Sequence, residues 1–370
     1  MAQIRSFLRR EPVLLIAALA ACVSCFFVPP DRAYLGYLDW RTLSLLYCLM
    51  TVVAGLRGAG LFSHMAHLLC RRAGNLRALG TLLILLSFLS SMLITNDVAL
   101  LTFVPFAVVV LGMAGQRKAL IRVVVLQTVA ANLGSMLTPV GNPQNLYLYS
   151  RYDMGMGEFL AITLPVWTLS LVLILGMCLL LPRERLTLFL GEEPGLHRRE
   201  LWLYLALFAL CLLTVLRLLP WWGMLAAVIA ALLFLDRKTL LQADFMLLLT
   251  FVAFFVFSGN LARVDAVDRL LRALLAGREY WTALLASQVI SNVPAALLLS
   301  GFTDHAAALL LGVDVGGLGT PIASLASLIA LKLYSHSEHA HTGRFLAEFT
   351  AVNLALLLFL SAAVFLFGIL

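Results

Sequence analysis

Charge is what this sequence of 370 residues has least of. Asp, Glu, Lys and Arg make up 12% of it, against about 25% in an ordinary soluble domain. Hydrophobic residues make up 62%, and the mean hydropathy is +0.99. The longest polar stretch, 182–200, is about 19 residues, well short of the ~50 that a small domain needs. The totals therefore describe a polytopic membrane chain. Cysteine outside apolar surroundings is also missing. Cys22, Cys25, Cys48, Cys70, Cys178 and Cys211 lie in or beside apolar runs, so no disulfide framework is expected, and the C-x-x-C at 22–25 reads as packing. The chain has neither H-E-x-x-H nor G-x-S-x-G. With no nucleophile–base pair at membrane depth, it is not expected to be an enzyme. A closed set of metal ligands is missing too: His64, His67 and "HSEHAH" at 336–341 sit in charged stretches and read as solvated loops. The net charge of +7 needs no nucleic acid, because membrane proteins retain Lys and Arg on the cytoplasmic side.

What the sequence does have is apolar runs of spanning length, about 17–25 residues. They point to an all-α polytopic membrane protein with about 9–11 spans. The first, 12–29, follows a basic start and reads as a transmembrane helix rather than a cleaved signal. Residues 1–37 form this N-terminal unit, 38–181 a first repeat, 182–242 a linker with two transmembrane helices, and 243–370 a second repeat. Two pairs of runs read as too short to span singly. Residues 79–94 and 98–114 meet at "TND", and 280–290 and 295–303 meet at "SNVP". Each pair reads as a re-entrant hairpin, with two thin spans as the alternative for the first. With the N-terminus inside and nine crossings, 18 of the 26 Lys and Arg lie inside. That bias favours a cytoplasmic N-terminus and an outside C-terminus.

The chain repeats itself. Residues 38–62 resemble 243–265, both opening on Asp and an aromatic, Asp39-Trp40 and Asp244-Phe245. "TNDVALL" at 95–101 matches "SNVPAAL" at 291–297, and "TPVGNPQN" at 138–145 matches "TPIASLAS" at 320–327. The chain crosses the membrane five times between the copies, so the second copy is inverted. Inverted repeats with Gly/Pro-broken segments (here 119–150 and 305–334) mark a secondary transporter with its site near the midplane.

Polar, helix-breaking residues at that depth fit such a site. Pro139 and Pro143 break the helix, and Gly141 permits a tight turn. Freed carbonyls suit a cation and freed N–H groups an anion. Thr95, Asn96, Asn142, Asn145, Ser291, Asn292 and Thr320 are the expected substrate contacts. Asp97, Thr138, Gly141 and Ser324 are the expected ion-coupling positions, with Na⁺ a candidate at Asn96, Asp97, Gly141 and Asn292. Capping is the plainer role of each hairpin tip alone. Asp97 stands out, because a carboxylate at mid-depth costs about 2.5–3.5 kcal/mol on insertion scales. No Lys or Arg lies near it in sequence, so its partner is Na⁺ or its own proton.

"SSMLITNDVALLTFVPF", "ANLGSMLTPVGNPQN", "SNVPAALLLS" and "GGLGTPIASLASL" together resemble the ion transporter superfamily. That group includes divalent-anion/sodium symporters, citrate transporters, arsenite permeases and some sodium/proton antiporters. The resemblance implies tips that bind substrate carboxylates and a sodium held between each tip and its neighbouring broken helix. Carried over, Thr95, Asn96 and Asp97 with the 138–145 loop make one half-site. Ser291, Asn292 and Val293 with the 318–324 loop make the other. Asp97 and Val293 depart from the Ser-Asn-Thr tips of the divalent-anion branch, and the Asn-Asp pair looks more like the arsenite-permease branch. The resemblance also implies a homodimer with elevator-like transport domains in the cytoplasmic (inner) membrane, and no cofactor beyond Na⁺ or H⁺ as coupling ion. The expected substrate is a small anion or oxyanion, with arsenite/antimonite efflux or Na⁺/H⁺ antiport as the alternative. A membrane scaffold has no use for two matched polar breaks. Replacing Asn96 and Asn292 with alanine separates the two: a transporter loses flux in proteoliposomes while still folding, and a scaffold is indifferent.

Overall fold

Asp39 and Asp244 each open a helix in the same way. The Asp39 carboxylate accepts the Thr42 N–H at 3.0 Å, and the Asp244 carboxylate accepts the Leu247 N–H at 3.0 Å. Each satisfies an N–H that the first helical turn leaves unpaired. This recurs in a computed structural model that describes residues 12–71, 73–113, 115–185, 195–337, 340–366 and 368. The described residues contain helices and no strand beyond one isolated bridge between Asn75 and Arg185. The first half holds α1 (Pro12–Phe27), α2 (Tyr34–Tyr37), α3 (Trp40–Gly58), α4 (Leu61–Cys70), α5 (Leu76–Ile94), α6 (Asn96–Met113), α7 (Arg117–Ser135), α8 (Pro143–Arg151) and α9 (Met156–Cys178). Two helices follow, α10 (Arg198–Val215) and α11 (Trp221–Leu235). The second half holds α12 (Phe245–Ala262), α13 (Asp265–Leu275), α14 (Glu279–Ile290), α15 (Asn292–Leu299), α16 (Ala306–Gly316), α17 (Leu325–Ser335) and α18 (Thr342–Leu366).

The chain is an all-α membrane protein. Helices α5, α9, α12 and α18 are each long and apolar enough to cross a bilayer, and α3 with α4, bent by 51°, makes a fifth candidate. Large side chains such as Phe26 (85% exposed) and Phe234 (83% exposed) point outward, where lipid rather than water suits them. One arm differs from the sequence expectation. Residues 79–94 read as too short to span, but the Asn75 side chain accepts the Ala78 N–H at 2.9 Å. This cap starts α5 at Leu76, and the helix reaches 19 residues. The histidines differ as well. His67 is buried on α4 rather than solvated, and His339 lies outside the described residues. Cys48, Cys178 and Cys211 are buried free thiols, whereas Cys22 faces outward.

Both expected breaks are present. Between α7 and α8 the chain makes a short 3-10 turn at Pro139–Gly141. Between α16 and α17 it runs through Gly319, which has φ +99°. The two hairpin tips share an unusual backbone. Thr95 has φ 68° and ψ 149°, and Ser291 has φ 73° and ψ 154°. Neither is glycine, and such residues cost about 1–3 kcal/mol each. Their surroundings match too. A Cβ on Gly134 would fall 2.1 Å from the Phe88 carbonyl oxygen and 2.8 Å from Ser91 Oγ. A Cβ on Gly316 would meet Leu284 Cα and Ser287, each at 3.0 Å. Phe88 and Leu284 both stand seven residues before their tips. Glycine thus lets α7 press onto α5, and α16 onto α14, at backbone contact.

Helices α3 and α12 run antiparallel. The start of α3 (Asp39, Arg41) shares a cavity with the end of α12 (Ser258, Ala262), and the end of α3 (Val53, Arg57) shares another with the region that opens α12 (Asp244, Leu247). Outside the spans, Arg263 pairs with Asp31 at 2.8 Å. Its guanidinium hydrogen bond holds the Asp31 carboxyl below its usual range.

Gly134→Ala forces α5 and α7 apart, because the obstacle is backbone. A loss of roughly 1–3 kcal/mol is expected, as for other overpacked sites. Gly176→Ala in α9 meets nothing within 4 Å and should be neutral or stabilising by up to ~1 kcal/mol. Thermal melting of the two variants in detergent checks the contrast.

Candidate functional site

One buried amide ties the first tip to the second break. Asn96 opens α6, and its Nδ2 donates to Asn132 Oδ1 on α7 at 3.1 Å. The same Asn132 oxygen accepts from Ser324 Oγ at 2.9 Å, and Asn132 Nδ2 donates to Ser327 Oγ at 3.3 Å. Next to Ser324, the Ala323 carbonyl accepts from the Asn292 N–H at 2.9 Å and from Ser291 Oγ at 3.4 Å. Both of these bonds tie the second tip to the second break. The tip amides repeat one more detail: Asn96 Oδ1 accepts the Asp97 N–H and Asn292 Oδ1 accepts the Val293 N–H, each at 2.9 Å. Local capping and site building are therefore done by the same residues.

The predicted residues fall into three groups. Asn96, Ser291, Asn292 and Ser324 join the network around Asn132. Thr95, Asp97 and Asn142 line a cavity of about 180 Å³, together with Arg57 and Asp244. Thr138, Gly141 and Thr320 brace the breaks. The Thr138 hydroxyl donates to the Met92 carbonyl, and the Thr320 hydroxyl to the Gln288 carbonyl at 3.2 Å. Met92 and Gln288 each stand three residues before a tip. Gly141 sits against Ser135, whose carbonyl oxygen would lie 2.1 Å from an added Cβ. Asn145 is fully buried and donates to the Met136 carbonyl at 3.3 Å.

Several acceptors in this region make no hydrogen bond among the described residues: Asp97 Oδ1, Asn142 Oδ1, Asn145 Oδ1 and Asp314 Oδ2. Buried polar atoms are normally paired, so these oxygens are open positions for a cation, a proton or a donor on a ligand. A wider cavity of about 570 Å³ lies at the opposite ends of α3 and α12. It is lined by Arg41, Arg151, Tyr147 and Ser150.

Residues 4–313 match the family model described as "Citrate transporter". The chain belongs to the citrate transporter family. That family lies within the ion transporter superfamily, so the chain is a multi-pass membrane transporter and not an enzyme. Its relatives in the family include the inner membrane protein YbiR of Escherichia coli (strain K12), 32% identical over 316 residues that cover 83% of this chain and 84% of YbiR. The uncharacterized transporter MJ0456 of Methanocaldococcus jannaschii is 32% identical over 311 residues, again 83% and 84% of the two chains. The silicon efflux transporter LSI3 of Oryza sativa subsp. japonica is 34% identical over 152 residues, which are 40% of this chain and 30% of LSI3.

Sequence reasoning missed Asn132 and Asp314 as partners in this region, and Arg57 and Asp244 as lining of the smaller cavity. Asp314 carried a usable signal: it is a lone carboxylate in the apolar run 306–316, the same argument that singled out Asp97. Asn132 lay inside a motif already noticed, but its partners are 192 and 195 residues away, and no local pattern points to them. Asn132→Ala removes the shared partner of Asn96, Ser324 and Ser327. Leaving such buried groups unpaired costs about 1–3 kcal/mol each, so a loss of at least ~2 kcal/mol is expected. Ser90→Ala, which removes only a bond to a carbonyl of its own helix, should change much less. Denaturation of both variants in detergent checks this.

Proposed function

We propose that the chain is a secondary active transporter of a small anion or oxyanion, coupled to Na⁺ or H⁺. The observation that carries this is the brace at Asn132, which joins the first hairpin tip to the second helix break, while the Ala323 carbonyl of that break holds the second tip, with unpaired acceptors beside them. Substrate contacts are assigned to Thr95, Asn96, Asn142, Asn145, Ser291 and Asn292. Asp97 is the coupling carboxylate of the first half, in the cavity that Thr95 and Asn142 also line. Arg41 and Arg151 in the wider cavity favour an anion as cargo. Membership of the citrate transporter family supports the same class.

Alternating access follows from the two halves as inverted repeats. The antiparallel α3 and α12, the matched caps of Asp39 and Asp244, and the matched tips at Thr95 and Ser291 support that relation. Each hairpin is re-entrant in this reading and moves with its broken helix, elevator fashion, against the rest of a homodimer. The N-terminus is cytoplasmic and the C-terminus outside. The membrane is the inner membrane, the location in YbiR's name.

A second reading is efflux of a small oxyacid such as arsenite or antimonite. The Asn96-Asp97 tip favours it, as does the partial similarity to a protein named a silicon efflux transporter. One experiment separates the two. Purified protein is melted in NaCl and in choline chloride with succinate, citrate, sulfate, arsenite or antimonite. A ligand that binds only the folded state, at a hundred times its Kd, stabilises by about 2.7 kcal/mol. A rise with a carboxylate or sulfate supports the first reading, and a rise with arsenite or antimonite alone supports the second. No rise with any of the five contradicts both. A response to NaCl that vanishes in Asp97→Asn assigns the cation to Asp97.

A further inference from the structure

Asn132 and Asp314 hold matched places. Each stands six residues before a Thr-Pro pair, Thr138-Pro139 and Thr320-Pro321. Each also reaches across to the break of the other half. Asn132 accepts from Ser324 and donates to Ser327. Asp314 accepts at Oδ1 from Gln144 Nε2 at 3.3 Å, with the Asn145 amide alongside the same carboxyl. When 138–145 is aligned with 320–327, Asn145 is the match of Ser327. By position, the pair Asp314 and Asn145 is therefore the counterpart of the pair Asn132 and Ser327. An amide has an N–H to send. A carboxylate has none, and both Asp314 Oδ2 and Asn145 Oδ1 stand without a partner among the described residues.

A carboxylic acid has the shape of an asparagine side chain and, like it, offers one acceptor and one donor. We propose that Asp314 is a proton-binding site separate from Asp97, its Oδ2–H donating to Asn145 Oδ1 as Asn132 Nδ2 donates to Ser327. Asp314 is 3% exposed and Asn145 fully buried. Ionised, Asp314 is a buried charge without a counter-ion, which is the costly state. The helices packed on α16 are α7, α8, α9, α14, α15 and α18, and no ionisable side chain on them acts on the carboxyl; only Gln144 and Asn145 do. The surroundings suit a proton better than a metal ion. Gln144 turns an N–H toward the carboxyl, and among the described residues no group of three or more His, Cys, Asp or Glu gathers there.

The two halves then differ in where a carboxyl stands. The first has Asp97 at its tip where the second has Val293. The second has Asp314 where the first has Asn132. Losing the Asp314 proton removes the donor to Asn145 and opens one side of the reciprocal brace between the halves. Only this last role, as a coupling proton, rests on the carrier reading above.

Infrared difference spectra of purified protein at pH 7, without any substrate, test the site. Wild type minus Asp314→Asn is expected to show one protonated-carboxyl carbonyl band, and Asp97→Asn is expected to retain that band. Asn132→Asp is expected to add a second one. Coincident spectra of wild type and Asp314→Asn in that region mean an ionised Asp314 and overturn the proposal. If Asp314→Asn does not fold, Asn145→Leu serves instead: a hydrogen-bonded acid band shifts in frequency, and an unshifted band overturns the assignment. Loss of the band on exchanging choline chloride for NaCl assigns the carboxyl to Na⁺ and also overturns it. A negative infrared result leaves the carrier reading to the ligand panel. A negative panel with the band present removes only the coupling role.

Discussion

Hydrocarbon has no hydrogen bonds to offer, and the rest of this structure depends on that constraint. A helix broken at membrane depth frees N–H and C=O groups that only protein, trapped water or cargo can satisfy. Here two breaks and two tips are placed so that each satisfies the others. Asn132 on α7 serves the first tip and the second break, and the Ala323 carbonyl at that break serves the second tip. Glycines at 134 and 316 allow the close helix contact that brings these groups into range. Once the breaks are braced in this way, the oxygens left over mark the site.

Strain follows the same logic. Thr95 and Ser291 hold backbone angles close to those that glycine tolerates. Both directly precede an asparagine whose side chain caps the new helix. The sharp tip lets the second helix of each hairpin start directly after the first, with the Asn292 N–H turned to the Ala323 carbonyl of the second break. Ordinary caps do this work at Asp39 and Asp244, near the ends of the helices.

Much of this was legible in the sequence. Composition alone gave the class, and the Thr-Pro stretches at 138 and 320 located both breaks because proline and glycine act locally. The tips were legible because polar residues interrupt apolar runs at Asn96 and Asn292. The length of α5 was not, since one cap at Asn75 decides it. Asn132 and Asp314 were not read as partners, because the bonds that carry them across to the other break join residues 170 and 192 apart. Thr138, Gly141 and Thr320 lie at the breaks, as expected, with their polar groups or close contacts spent on holding the chain there. The unpaired acceptors on which the proposed function rests are a property of the three-dimensional structure, and no local pattern marks them.

Counterflow is the most direct test of a carrier built around this junction. Proteoliposomes loaded with the unlabelled anion that most stabilises the protein are diluted into its labelled form. The account predicts transient accumulation of label above equilibrium, lost in the Asn96→Ala/Asn292→Ala double variant at unchanged reconstitution. Simple equilibration without overshoot, or an overshoot that the double variant retains, contradicts it.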